Sequence, residues 1–134
     1  MDLWGGGSAL KIPSDLNYTS EHEWVREEGG VATVGITDYA QGELGDIVFL
    51  ELPKVGSQVK AGAECGTIEA VKTVAQLFAP VTGKVIEVNE GLENEASLVN
   101  QDPYGDGWMM KIKMTEHSEM GELLSAADYE ARIG

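Results

Sequence analysis

Turn-forming residues interrupt this chain at short, regular intervals, and this punctuation limits the fold more than any other feature of the sequence. Between the turns stand short runs rich in valine, isoleucine, threonine and aromatic residues. Residues 23–26 and 31–36 are two such runs, separated by Glu28-Gly29-Gly30, and this pattern predicts a hairpin. Many short strands with little helix indicate a mainly β domain, either a small sandwich or a barrel.

The same pattern continues to the end of the chain. Further strands are predicted over residues 46–52, around Val59, and over residues 67–71, 74–79, 84–88 and 108–114. A short internal helix should begin near Thr37 and be stopped by Gly42 and Gly45. Near the C-terminus, apolar residues recur at helical spacing and predict an amphipathic helix, broken near Ser125. The members of that stripe are Met120, Leu123, Leu124 and Ala127.

The length of 134 residues suits a single domain. We assign residues 15–134 to this domain and residues 1–14 to a flexible N-terminal tail. Three consecutive glycines, Gly5 to Gly7, cannot hold a backbone in one conformation cheaply. Residues 4–9 are therefore interpreted as a loose tail or a cloning remnant.

Charge and cysteine content exclude several classes of partner. Nine Lys and Arg against 23 Asp and Glu give a net charge of −14, which repels nucleic acid and anionic membranes. We expect neither as a partner. Cys65 is the only cysteine, so no intramolecular disulfide can form. Without a basic leader or a long apolar run, the sequence favours a cytoplasmic protein.

Lys72 lies between two predicted strands, within the most specific segment of the chain. Residues 66–83 read GTIEAVKTVAQLFAPVTG. The segment resembles the lipoyl-attachment segment of the glycine cleavage H-protein family. In that family a Glu, a small residue and Val precede the modified lysine, and Ala-Pro and Gly follow after a short strand. The corresponding residues here are Glu69, Ala70, Val71, Lys72, Ala79, Pro80 and Gly83.

Other stretches resemble the same family in the expected order. They include His22-Glu23-Trp24, Leu44-Gly45-Asp46, Asp102-Pro103-Tyr104 and Gly107-Trp108. The resemblance therefore covers roughly residues 15–134, and an ordered series is far more specific than one short motif. It implies a small barrel-sandwich hybrid, the lipoyl/biotinyl type of β sandwich, with a short internal helix and a C-terminal amphipathic helix.

The resemblance implies a non-catalytic carrier with lipoic acid attached as N6-lipoyllysine at Lys72. A lipoate-attaching enzyme would load it. The carrier would take an aminomethyl group from a pyridoxal-phosphate glycine decarboxylase to an aminomethyltransferase, and electrons to dihydrolipoamide dehydrogenase.

Four further residues are assigned to this site. Glu69 and Val71 flank the attachment position, and Glu23 is expected by resemblance to line the cleft that shelters the loaded arm. Gln76 stands where the family often has an acidic residue, four positions after the lysine. An amide can still accept a hydrogen bond there.

Several alternatives remain at this point. A related use is that of an H-like protein that relays lipoyl groups to other carriers. Lipoyl domains of 2-oxo acid dehydrogenases are shorter and are joined to an acyltransferase by linkers. A biotin carrier would have Met beside the lysine, where Val71 and Thr73 stand. The non-carrier alternatives are an acidic interaction module and a cysteine enzyme based on Cys65.

The remaining chemically versatile residues favour structural roles. Neither His22 nor His117 has a second ligand at metal-binding spacing, and Cys65 is expected to pack as a small apolar residue.

The run that starts at Asp102 resembles a calcium loop only in part, because its twelfth position is Lys113 rather than Glu. We interpret it as a turn. Trp24, Trp108 and Phe49 are predicted to anchor the core.

Overall fold

The computed structural model describes residues 10–133, which form nine strands, four α-helices and one 3₁₀ helix. The strands are β1 (Asn17–Tyr18), β2 (Glu23–Glu28), β3 (Val31–Ile36), β4 (Ile47–Glu51), β5 (Gln58–Val59), β6 (Glu64–Ala70), β7 (Val74–Phe78), β8 (Gly83–Val88) and β9 (Met110–Met114). The helices are α1 (Asp38–Leu44), α2 (Gly91–Asn94), α3 (Leu98–Gln101), the 3₁₀ helix (His117–Glu122) and α4 (Ala126–Ile133).

The strands form two antiparallel sheets around a shared core. The larger sheet has the order β1-β2-β3-β9-β8-β5, and the smaller has the order β4-β6-β7. Val34 and Ile112 of the larger sheet lie in the same buried cluster as Ile68 and Leu77 of the smaller one. This arrangement confirms the predicted mainly β, sandwich-like fold.

Helix α1 connects the two sheets and forms one side of the site described below. The Thr37 hydroxyl accepts a hydrogen bond from the Ala40 amide and caps the helix, as predicted. The helix continues through Gly42 and ends at Gly45, whose φ of 79° suits a residue without a side chain. Gly45 is therefore the stop, and Gly42 is not.

The C-terminal segment packs over the end of β1. It contains the 3₁₀ helix and then α4, with a break between them that matches the prediction near Ser125. Tyr129 of α4 is fully buried and stacks on Tyr18, with 4.8 Å between ring centroids. Leu16 and Trp24 complete this second, smaller core.

The described part of the predicted N-terminal tail makes contacts with the domain. The Lys11 amide donates to Asp38, and the Lys11 carbonyl accepts from the Tyr104 hydroxyl at 2.6 Å. The Pro13 carbonyl accepts from the Tyr18 hydroxyl at 2.6 Å. Residues 1–9 of the predicted tail lie outside the described residues, and the boundary near residue 15 stays a prediction.

Phe49 is the one predicted core anchor that is wrong, because it is 54% exposed. A register shift between Ile47 and Phe49 in the β4–β6 pair breaks the alternation of side chains, and a bulge of this kind turns a side chain outward. Trp24, in contrast, is fully buried. Trp108 is half-buried and packs against the second core.

Candidate functional site

Lys72 is the middle residue of the three-residue loop, residues 71–73, that joins β6 to β7. The Ala70 amide donates to the Thr73 carbonyl at 2.8 Å, which closes the loop. The Val71 amide donates to the Asp46 carbonyl at 3.0 Å, which ties the loop to the segment before β4. Hydrogen bonds on both sides make this a stiff position from which a side chain can project.

The Lys72 side chain is exposed and crosses the end of α1. A Cβ atom built on Gly45 would lie 3.3 Å from Lys72 Cε, so the aliphatic stem runs over this glycine. Among residues 10–133, no salt bridge or hydrogen bond engages the ammonium group. The amine is therefore accessible to another protein.

The other two residues assigned beside the attachment position lie next to an exposed apolar strip. Glu69 is exposed and pairs across the sheet with Phe49 on one side and Val74 on the other. Phe49 and Val74 are both more than half exposed, and Val71 in the loop is 74% exposed. Lys72 thus rises beside one carboxylate and three solvent-facing apolar side chains.

A cleft of about 300 Å³ opens between the start of β2, helix α1 and strand β7. Its walls contain apolar side chains, among them Ile36, Leu44 and Ile68, and its polar groups include Glu23 and Gln76. Leu44 immediately precedes Gly45, against which the Lys72 stem lies. The cleft therefore begins at the base of the Lys72 side chain.

Glu23 is a buried carboxylate in the wall of this cleft, only 2% exposed. Its Oε1 accepts a hydrogen bond from the Thr19 hydroxyl at 2.6 Å, and its Oε2 accepts one from the Phe78 amide at 3.3 Å. Burial raises the pKa of Glu23 to about 7, although both hydrogen bonds act in the opposite direction. The carboxyl group therefore changes charge near neutral pH.

His22 has a structural role at the edge of the cleft. Its Nδ1 lies 2.8 Å from the Tyr129 hydroxyl, which in turn lies 2.7 Å from Thr37 Oγ1. Burial lowers the pKa of His22, against the influence of Glu21 and Glu43. Within the described residues no group of three potential ligands is placed to hold a metal ion.

Cys65 is half-buried against the main core. Burial is the largest of the causes that raise the pKa of its thiol to about 12, followed by the nearby Glu23 and Glu64. A thiol of this kind is a poor nucleophile at neutral pH.

The run that starts at Asp102, interpreted above as a turn rather than a calcium loop, forms turns in the structure.

No helix within residues 10–133 combines the length and the apolar character needed to cross a bilayer.

We expect Glu23→Gln to raise the free energy of unfolding at high pH. The unfolded carboxyl group has a pKa near 4.5 and the folded one a pKa of about 7. Between these values the folded state holds more protons, so its stability falls as the pH rises and then levels off above 7. Ionisation of Glu23 costs on the order of 3 kcal/mol, and glutamine avoids this cost.

Urea denaturation of both proteins at pH 5 and pH 8 measures this effect. The variant should be more stable than the parent protein at pH 8, and the difference should shrink toward pH 5. A difference of the same size at both pH values would contradict titration of Glu23 as its cause.

The structure places the five residues assigned from the sequence in two adjoining groups. Lys72, Val71 and Glu69 lie at or beside the loop, whereas Glu23 and Gln76 lie in the cleft. Sequence reasoning missed Thr19, His22 and Tyr129 as parts of the site. Thr19 stands two residues before Glu21, at the spacing of a side-chain turn motif, whereas no local signal marks Tyr129.

Comparison with known proteins gives a consistent result. The sequence model of the family described as glycine cleavage H-protein matches residues 16–134. The glycine cleavage system H protein of Staphylococcus haemolyticus is 51% identical over 125 residues, which cover 93% of this chain and 99% of that protein. That of Carboxydothermus hydrogenoformans is 52% identical over 119 residues, covering 89% and 92%.

A solved structure agrees with the sequence matches. The crystal structure of a glycine cleavage system H protein from Mycobacterium marinum superposes with a TM-score of 0.84 at 41% identity. The superposition covers 91% of this chain and 98% of that one.

Proposed function

This chain belongs to the glycine cleavage H-protein family, the lipoyl-carrying shuttles of the glycine cleavage system, and we propose that Lys72 is its lipoyl attachment site. The observation that carries the proposal is an exposed amine on a stiff loop beside a cleft. A carrier lysine must project from a rigid support to reach several partners in turn. The chain itself acts as a carrier and catalyses none of the steps.

Attachment requires access to Lys72 Nζ from outside. The amide bond forms between Nζ and the lipoyl carboxyl carbon, and the attaching enzyme must remove a proton from the ammonium group first. Glu69 and the exposed Val71 flank the amine, and they offer that enzyme one charge and one apolar contact. These features support a role for both residues in recognition.

Lipoic acid, once bound, supplies a disulfide that accepts the aminomethyl cargo and two electrons. The cleft suits such an arm because its walls are apolar near Lys72 and carry a carboxylate farther along. Ile36, Leu44 and Ile68 would contact the methylene groups, and Glu23 would bind the amine of the cargo. Gln76 would add a hydrogen-bond acceptor at the rim.

The dimensions of the site agree with this arrangement. Gln76, in β7, follows Lys72 by four residues, a separation of at most about 13 Å at the rise of a β-strand. A lipoylated lysine has about a dozen bonds between its Cα and the nearer sulfur, so its extended length is similar. An arm folded into the cleft would keep water away from its cargo.

Partners would meet this arm one after another. We propose the glycine decarboxylase, the aminomethyltransferase and dihydrolipoamide dehydrogenase for these steps. The net charge of −14 would guide the carrier toward basic docking surfaces. The cytoplasmic location inferred from the sequence stays a prediction.

A glycine–bicarbonate exchange assay tests the proposal. The lipoylated protein, mixed with glycine decarboxylase, should promote incorporation of labelled bicarbonate into glycine, and the same protein without lipoic acid should not. Intact mass measured beforehand shows which form is present. A fully lipoylated protein that gives no exchange would contradict the shuttle function and indicate the lipoyl-relay alternative.

A further inference from the structure

The Thr19 side chain has all of its hydrogen-bonding capacity committed around Glu23. Its Oγ1 accepts hydrogen bonds from the amides of Glu21 and Glu23, each at 3.2 Å. A hydroxyl has two acceptor lone pairs and one hydrogen. With both lone pairs used, the hydrogen can only point at Glu23 Oε1, 2.6 Å away.

The direction of this hydrogen bond favours one charge state of Glu23. A short O–H donor contact of this length is typical of an ionised acceptor. The Phe78 amide contributes a second donor to the other oxygen. Phe78 lies on β7, which borders the cleft through Ala75 and Gln76. The Glu23 carboxylate is therefore held between the turn formed by residues 19–23 and the wall of the cleft.

Among residues 10–133, no Lys or Arg is among the groups that influence the charge of Glu23. Glu21 precedes it in the same turn, Cys65 lies nearby on β6, and Tyr129 approaches from α4. Glu43 of α1 and His22, just before β2, line the same cleft, and burial lowers the pKa of His22. A buried carboxylate with donors but no positive neighbour is suited to a cationic ligand.

We propose that Thr19 is a positioning residue whose hydroxyl holds Glu23 ionised and aimed into the cleft, where it binds the cationic amine of the cargo. The inference rests on the proposed function. It assigns to Thr19 an effect on the charge of Glu23. A residue that only stabilised the turn of residues 19–23 would not have this effect.

The first test measures the side-chain pKa of Glu23 by carbon-detected NMR titration in the protein without lipoic acid. Thr19→Val removes the hydroxyl, and we expect the measured pKa of Glu23 to rise by about one unit or more, because hydrogen bonds to charged groups have this strength. Thr19→Ser retains the hydroxyl and should restore the original value. An unchanged pKa in Thr19→Val would overturn the proposal.

The second test measures release of ammonia from the lipoylated protein after loading with the aminomethyl group. Hydrolysis by one water breaks both the carbon–sulfur and the carbon–nitrogen bonds of the adduct, and its oxygen becomes that of formaldehyde while its two hydrogens go to the thiol and to ammonia. If the pKa of Glu23 rises from about 7 to roughly 8, its ionised fraction at pH 7 falls about fivefold. Release should accelerate by a similar factor in Thr19→Val at pH 7, and the two rates should converge by about pH 9.

The pH profile separates the outcomes. A Thr19→Val protein that releases ammonia faster by one constant factor at every pH would show a purely structural effect and overturn the inference. Glu23→Gln serves as the reference and should release faster at both pH values. If Glu23→Gln accelerates release and Thr19→Val does not, only the Thr19 inference fails. If Glu23→Gln has no effect, the cleft assignment in the proposed function fails with it.

Discussion

Lys72→Arg is expected to abolish lipoylation completely. A guanidinium group keeps its proton in proteins and does not act as the acyl acceptor. The substitution preserves the positive charge on an exposed loop, so the fold should be unaffected. Coexpression with a lipoate-attaching enzyme, followed by intact-mass analysis, should show one lipoyl adduct on the parent protein and none on the variant.

Lys60→Arg is the matched control for this experiment. Lys60 is also exposed and lies in a loop, but it is outside the β6–β7 turn. This variant should carry the same single adduct as the parent protein. An adduct that persists in Lys72→Arg, or that disappears in Lys60→Arg, would contradict the assignment of Lys72.

The strands could be predicted from the sequence because turn residues mark their ends. The turn Glu28-Gly29-Gly30 has two left-handed glycines, with φ of 60° and 85°, between the paired strands β2 and β3. The loop at Lys72 was predictable for a similar reason, since two apolar runs flank it closely. In these places the local sequence and the final fold require the same conformation.

Contacts between residues far apart in the sequence could not be predicted in this way. The hydrogen bond between His22 and Tyr129 joins residues 107 positions apart, and no local pattern predicts which residue α4 places there. The outward turn of Phe49 depends on a register shift against β6, which a single run of residues does not reveal. The cleft is built from such contacts, and therefore only its resemblance-based residues were named in advance.

Glu23 illustrates how the fold and the proposed function conflict. Its ionised form is the form that would bind a cationic cargo, yet burial makes this form costly for the folded protein. The hydrogen bonds from Thr19 and Phe78 offset part of the cost. A residue that weakens stability at the working pH is typical of a functional site rather than a core position.

Gly83→Ala is expected to lower the free energy of unfolding by about 3 kcal/mol, which corresponds to roughly 10 °C in Tm. Gly83 lies in β8 between β5 and β9, and a Cβ atom there would overlap the Lys113 carbonyl oxygen and approach Ile112 Cγ2 at 2.9 Å. Because the nearest obstacle is backbone, the strands would have to separate. Denaturation in urea at pH 7 measures the loss.

Gly42→Ala provides a control with the opposite sign. Gly42 lies within α1 and is exposed, and apart from its chain neighbours and the backbone of its own helix no atom lies within 4 Å of the new Cβ. Alanine should stabilise this helix by about 1 kcal/mol.

Equal stability of the parent protein and Gly83→Ala would contradict the close approach of β8 and β9. Since the Lys72 loop joins two strands of the other sheet, folded Gly83→Ala should still accept one lipoyl group. This result would separate loss of stability from loss of the attachment site.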